Sequence, residues 1–173
     1  MFEVEAKVRV TAKEYQHLAD HLKKIAGKGH ESEKSDTYYA DSKKVHIRSR
    51  AVDGKTLFTI KQKAIRSSVE ANVEMEWEIK EPTKWNRLLS KIGFKPFIRK
   101  TKKSLTFSYK SFSVELNHIR ELGYFLEIEK VVKNRKQVAE AKKELIALFK
   151  VLGYNQNQFE RRYYLDLLEQ VRK

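Results

Sequence analysis

The chain has 173 residues, 40% of them hydrophobic, a size and make-up that suit one folded domain over residues 1–173 with a sizeable core. It contains no cysteine, which excludes a disulfide framework and thiolate metal sites and fits a reducing compartment. The formal charge of +14 points to a polyanionic partner unless it only solubilises the surface.

The opening MFEVEAKVRV alternates residue by residue. Phe2, Val4, Ala6, Val8 and Val10 are apolar, whereas Glu3, Glu5, Lys7 and Arg9 are charged, which is the period of a strand with one oily face. No apolar run reaches membrane-span length, and the acidic residues at the start do not suit a signal peptide. A cytoplasmic protein is therefore expected. Thr11 to Glu14 has capping-box spacing, and Tyr15, Leu18, Leu22 and Ile25 form the stripe of the helix that follows. Gly27 and Gly29 end that helix. His17 and His21 have zinc-compatible spacing on its polar side, but without the metalloprotease glutamate they are expected in solvent.

A polar loop leads to SDTYYAD, a short strand candidate. VHIRSRAV and KTLFTIKQK flank Asp53-Gly54, a strong hairpin-turn signal. Residues 64–70 read as a loop, and NVEMEWEIK as a strand. Pro82 and Gly93 bracket a second helix. KPFIRKTK, SLTFSYK, FSVELNH and GYFLEIEKV read as further strands. A helix over roughly 135–152 and a last helical segment, ERRYYLDLLEQV, complete the pattern. Many strands joined by short turns make a mainly antiparallel sheet, and about eight of them close into a barrel. The expected fold is α+β: a closed antiparallel β-barrel forming a tunnel, with helices packed on the outside.

The charged face recurs along the chain. His46, Arg48 and Arg50 share a face opposite Val45 and Ile47; Lys61 and Lys63 share one opposite Phe58 and Ile60. Glu74, Glu76 and Glu78 form another, as do Lys100 with Lys102, Glu115 with Asn117, and Glu127 with Glu129. If the oily faces meet the outer helices, these charges line the inside. Burying so many ions in a dry interior would be prohibitive, so the interior is expected to be wet. Cation clusters bind phosphate oxygens, and carboxylate clusters bind Mg²⁺ or Mn²⁺. A polyphosphate carrying its metal ions needs both.

These segments resemble the CYTH domains, the triphosphate tunnel metalloenzymes. E-V-E-A-K is similar to their E-x-E-x-K signature, D-T-Y-Y to a D-x-Y-F segment, I-R-S-R to an R-x-R strand and F-T-I-K to a lysine strand. V-E-M-E is similar to the central E-x-E, L-G-Y-F-L-E-I-E to the C-terminal glutamate strand and Y-Y-L-D-L-L to the closing helix. The branch named for class IV adenylyl cyclases is the most similar, and it also contains triphosphatases. Asn117, Lys102 and Asn72 depart from the family's usual Asp, Arg and Arg.

The resemblance implies that Glu3, Glu5, Glu127 and Glu129 bind Mg²⁺ or Mn²⁺. It implies that Lys7, Arg48, Arg50, Lys61, Lys100 and Lys102 cradle a triphosphate, and that Glu74 and Glu76 hold a second metal or orient the nucleophile. Glu74, Glu76 and Lys7 are thus the expected catalytic residues. The resemblance implies metal-dependent phosphoryl transfer, either ATP to cyclic AMP and pyrophosphate or hydrolysis of tripolyphosphate, thiamine triphosphate or a nucleoside or RNA 5′-triphosphate. A homodimer stays open and a membrane partner is not expected. Nucleic-acid binding through Arg99–Lys103 and Lys130–Lys143 is a rival reading, not favoured because carboxylates repel a phosphate backbone unless metal intervenes. A non-catalytic triphosphate sensor is a third.

Overall fold

The computed structural model describes residues 1–40, 46–65 and 69–173, with the side chains of 46 and 61–65 outside the described set. Eight strands form one closed antiparallel barrel: β1 (Phe2–Val10), β2 (His30–Ala40), β3 (His46–Val52), β4 (Lys55–Ile65), β5 (Glu70–Glu78), β6 (Lys95–Tyr109), β7 (Phe112–Ile119) and β8 (Gly123–Val132). Around the barrel they run β1-β5-β4-β3-β2-β6-β7-β8, with β8 pairing back to β1. Among the described residues four helices pack around it: α1 (Ala12–Ala26), α2 (Pro82–Lys91), α3 (Val138–Val151) and α4 (Tyr164–Val171). No helix among the described residues is long and apolar enough to cross a membrane.

Local chemistry explains the boundaries. The Thr11–Glu14 capping box closes the start of α1, and the N–H of Gly27, at φ 80°, returns to the Lys23 carbonyl at its end. Asp53 and Gly54 both have positive φ, the conformation a tight two-residue hairpin demands. Pro82 opens α2, where its missing N–H costs nothing.

The oily strand faces point outward, as the alternation requires. Val4, Ala6 and Val8 of β1 pack with Leu18 and Leu22 of α1 and with Leu145 and Phe149 of α3 in the main core. A second cluster joins Ile47 and Phe58 to Leu89 of α2. Trp77 touches Phe58 at 5.2 Å between ring centroids and stays partly exposed, while Trp85 of α2 covers the same ring. A third cluster differs in kind. Ile98, Ile119 and Phe125 belong to the inward face, and Leu165, Leu167 and Leu168 of α4 bury themselves against them. This helix therefore covers one end of the barrel, and each buried leucine contributes about 1.5–3 kcal/mol.

Several boundaries differ from the sequence reading. The stretch read as a polar loop before SDTYYAD is already strand from His30. Glu31, Glu33 and Ser35 face solvent there, so no oily face betrays the strand. The two strands expected in 95–110 are one, β6. The expected loop at 64–70 is shorter: Ala64 and Ile65 end β4, Glu70 begins β5, and 66–68 lie outside the described residues. The third helix starts as a 3-10 turn at Arg135–Gln137. Residues 160–163 are not helical, because Glu160 donates its N–H to the Lys7 carbonyl at 2.8 Å and Phe159 bridges to Val8.

Candidate functional site

The register places Glu3, Glu5 and Lys7 of β1 on the inner wall, beside Glu129 and Glu127 of β8 and Glu70 and Asn72 of β5. Lys34, Asp36 and Tyr38 of β2, Arg48 and Arg50 of β3, and Lys100 and Lys102 of β6 face the same space. The strand order sorts these charges. Carboxylates concentrate on the contiguous arc β7-β8-β1-β5, and cations on the arc β3-β2-β6. The exceptions are Lys7 and, at the end of β1, Arg9 on the acidic side, and Asp36 on the basic side.

On the acidic arc, carboxylate oxygens of Glu3, Glu5 and Glu129 all lie within 4.8 Å of one another. Burial first, then the neighbouring charges of Glu3, Glu115, Glu127 and Glu5, pushes the Glu129 carboxyl up to about 8. Asn72 donates to Glu5 at 3.1 Å and accepts from the Tyr163 hydroxyl at 3.2 Å, so it orients the cluster from behind. Three convergent carboxylates suit a hard divalent cation, which takes oxygen ligands.

Glu127, expected alongside them, is not in this group. Its Oε2 accepts from Asn117 Nδ2 at 2.8 Å, from the Tyr164 hydroxyl at 3.1 Å and from Lys102 Nζ at 3.4 Å. Burial, the largest single influence, opposes its ionisation, but the charges of Lys102, Lys7 and Lys100 together hold the carboxyl below its ordinary value.

On the basic arc, Asp36 is buried between two cations. Arg50 grips it with both Nε and Nη2, at 2.7 and 3.0 Å, and Lys100 reaches it at 2.9 Å. Burial resists the charge of Asp36, yet Lys100 and Arg50 hold it far below the usual carboxylate range. Lys102 bonds to Glu115 at 2.8 Å, and Lys34 pairs with the same carboxylate. Arg48 Nη2 reaches Glu74 and Glu76 at 3.2 Å each, and the Thr59 hydroxyl, which accepts from that nitrogen, donates to Glu76 at 2.8 Å.

Among the described residues Lys7 makes no ion pair, although it is 6% exposed; its ammonium sits over the rings of Tyr163 and Tyr164, at 6.0 and 5.2 Å. Lys61 is placed opposite Glu74 by its backbone, and its side chain lies outside the described residues, as does that of His46. His17 and His21 are exposed.

The interior is drier than the sequence reading expects. Among the described residues Lys100, Lys102 and Asp36 are each under 5% exposed, Glu3, Arg48, Arg50, Glu74 and Glu129 are half-buried, and Glu76 is exposed. The two arcs compensate each other directly, so ion pairs take the place of water. The basic stretch Arg99–Lys103 divides accordingly: Lys100 and Lys102 turn inward, Arg99 and Lys103 outward. Lys34, Asp36, Tyr163 and Tyr164 were not singled out from sequence. The first two share the parity of Tyr38, which was the available signal; the tyrosines gave none beyond their place in the closing helix.

Comparison with known proteins agrees with this architecture. The "Putative adenylate cyclase MJ0240" of Methanocaldococcus jannaschii is 28% identical over 178 residues, covering 96% of this chain and 98% of that one. The PH1819 protein of Pyrococcus horikoshii OT3 superposes with a TM-score of 0.81 at 27% identity, over 97% of this chain and 98% of that one. A Hippeastrum protein, HpAC1, described as an adenylyl cyclase candidate with a dominant triphosphatase activity, shares the fold at a TM-score of 0.68 and 16% identity, over 98% and 95%. The family model for the CYTH domain matches residues 1–164, and the chain belongs to that family.

Proposed function

We propose that this protein is a metal-dependent phosphoryl-transfer enzyme that binds a triphosphate between the two arcs. The observation that carries this reading is the opposition of the Glu3, Glu5 and Glu129 cluster to the cations of β2, β3 and β6. Membership of the CYTH family and the adenylate cyclase name of the M. jannaschii relative support ATP as substrate, with cyclic AMP and pyrophosphate as products.

In this reading Glu3, Glu5 and Glu129 hold Mg²⁺ or Mn²⁺, which when bound neutralises charge on the phosphate oxygens. Lys7, Lys100, Lys102, Arg48 and Arg50 bind the phosphate chain, with Lys61 as a further candidate. A triphosphate entering the site replaces Asp36 and Glu115 as partner of some of these cations, exchanging one set of charge-assisted hydrogen bonds for another. Glu74 and Glu76, held by Arg48 and Thr59, orient the attacking hydroxyl and accept its proton. Alignment and charge neutralisation are what phosphoryl transfer asks of a protein, and no covalent intermediate is needed.

A second reading keeps the same wall and makes water the nucleophile at the terminal phosphorus. It is favoured by the aromatic groups of the lining. Tyr38 and Tyr164, which could stack an adenine, carry lysine ammonium groups instead. Incubation with Mg²⁺ or Mn²⁺ and, separately, ATP, tripolyphosphate and thiamine triphosphate decides between them. Pyrophosphate matched by cyclic AMP selects the cyclase; orthophosphate without cyclic AMP selects the triphosphatase. No product from any of the three would overturn the enzymatic reading and leave a sensor.

A further inference from the structure

Tyr164 is the first residue of α4 and is buried, with 8% of its surface exposed. Its ring is met by three lysines from two arcs of the wall. Lys100 Nζ lies 4.8 Å from the ring centroid, Lys7 Nζ 5.2 Å and Lys102 Nζ 5.7 Å. All three distances fall within the roughly 6 Å over which a ring quadrupole attracts a cation.

The ring itself is held from three directions. Its hydroxyl donates to Glu127 Oε2 at 3.1 Å, the same oxygen that Asn117 and Lys102 use. Phe125 presses an edge against it at 5.0 Å and 87°. Leu165, Leu167 and Leu168 anchor the helix behind it in the apolar end of the barrel.

We propose that Tyr164 is a positioning residue of the triphosphate site, a common seat that fixes the Lys7, Lys100 and Lys102 ammonium groups and thereby sets where the inner phosphate is gripped. This rests on the reading that the tunnel binds a triphosphate.

The chemistry of the seat explains its use. Lys100 and Lys102 are paired with Asp36, Glu115 and Glu127, and an arriving phosphate must draw their N–H donors away. A carboxylate competes with phosphate for those donors. An aromatic face attracts the charge without taking a directional hydrogen bond, so it holds the nitrogen in place while its donors turn to the ligand. Lys7 is the extreme case: among the described residues it makes no ion pair, and its ammonium sits over two tyrosine rings beside Glu127.

The test uses the full chain with Tyr164→Leu, which removes the ring, and Tyr164→Phe, which keeps it. Tripolyphosphate affinity is measured by calorimetry, and the ε-methylene resonances of ¹³C-labelled lysines by NMR. Tyr164→Leu should bind at least about ten-fold more weakly, and Tyr164→Phe less than about three-fold more weakly, as expected if the cation–π seat rather than the hydroxyl sets the affinity. In the unsubstituted protein the ε-methylene signals of Lys7, Lys100 and Lys102 should be ring-current-shifted. The Phe variant should retain these shifts, and the Leu variant should lose that of Lys102 and reduce those of Lys7 and Lys100, which Tyr163 and Tyr38 also meet.

A folded Tyr164→Leu protein that binds as tightly as the parent would overturn the proposal. So would a Phe variant as weak as the Leu variant. Should the Leu variant not fold, the parent spectrum still decides, because unshifted lysine signals there refute the seat. Failure of the parent to bind tripolyphosphate would instead sink the functional reading, with the shifts reporting on the lysines separately.

Discussion

The two arcs of the wall obey the same alternation and use it oppositely. On β3-β2-β6 a buried acid, Asp36, ties down Arg50 and Lys100, and the result is a dry, compensated ion-pair network. On β7-β8-β1-β5 carboxylates crowd one another, and Glu129 keeps its proton well above the ordinary carboxylate range. One arc is satisfied by the protein itself; the other, in the proposed reading, receives a cation. A ligand bearing both metal and phosphate would relieve the second while borrowing partners from the first.

The largest effect is expected from breaking the satisfied arc. Asp36→Asn leaves two buried cations undercompensated and should cost about 3–5 kcal/mol of stability, read from urea unfolding. The deficit should shrink when tripolyphosphate is present, because phosphate replaces the missing charge. A loss below about 1 kcal/mol would mean that the network is not what holds this side together.

Breaking the crowded arc should act on chemistry rather than folding. Glu5→Gln is isosteric, and it should lower metal-dependent turnover by about 100-fold or more while leaving the circular dichroism unchanged. Retained turnover would remove Glu5 from the metal site.

The pH dependence should separate the arcs. Glu129 has a folded-state pKa raised to about 8, so the folded protein holds a proton there that the unfolded chain gives up. Its contribution is therefore present below the ordinary carboxylate pKa and lost as pH rises toward 8. Without divalent ion the melting temperature should be lower at pH 8.5 than at pH 5.5, and Mn²⁺ binding at pH 7 should release about one proton, measured by calorimetry in two buffers. Asp36 and Glu115 are shifted downward, so their contribution is present above the ordinary carboxylate pKa and lost only as pH falls into strong acid. Melting that is flat between pH 5.5 and 8.5 would contradict the crowding.

The smallest effect should come from the exterior. Lys143 is exposed and paired only loosely with Glu140, at 3.7 Å. Lys143→Gln should change stability by less than about 0.5 kcal/mol and turnover by less than two-fold. A large loss of activity would mean that the outer charge, not the wall, binds the substrate.

How much of this was legible in the sequence depended on whether a strand has an oily side. β1 and β8 press a hydrophobic face on helices, and β5 carries one that is buried at Ala71 and exposed at Met75 and Trp77. In all three the alternation gave both strand and inward charges at once. β2 has polar residues on both faces near its start, so Lys34 and the first half of the strand were hidden in an apparent loop. Alternation also assigns a face without assigning a partner. It put Glu127 on the correct wall, but whether that carboxylate meets a cluster of acids or Lys102, Asn117 and Tyr164 depends on register across β6, β7 and α4. Tyr164 was the least readable residue, because its place against three lysines arises only when α4 docks on the end of the barrel.

A crystal structure of the protein with tripolyphosphate and Mn²⁺ tests the central claim most directly. The account predicts the metal on Glu3, Glu5 and Glu129, with the phosphate chain facing Lys100, Lys102, Arg48 and Arg50. Phosphates bound only on the outer lysines, with Asp36 and Glu115 still holding their cations and no metal on the three glutamates, would contradict it.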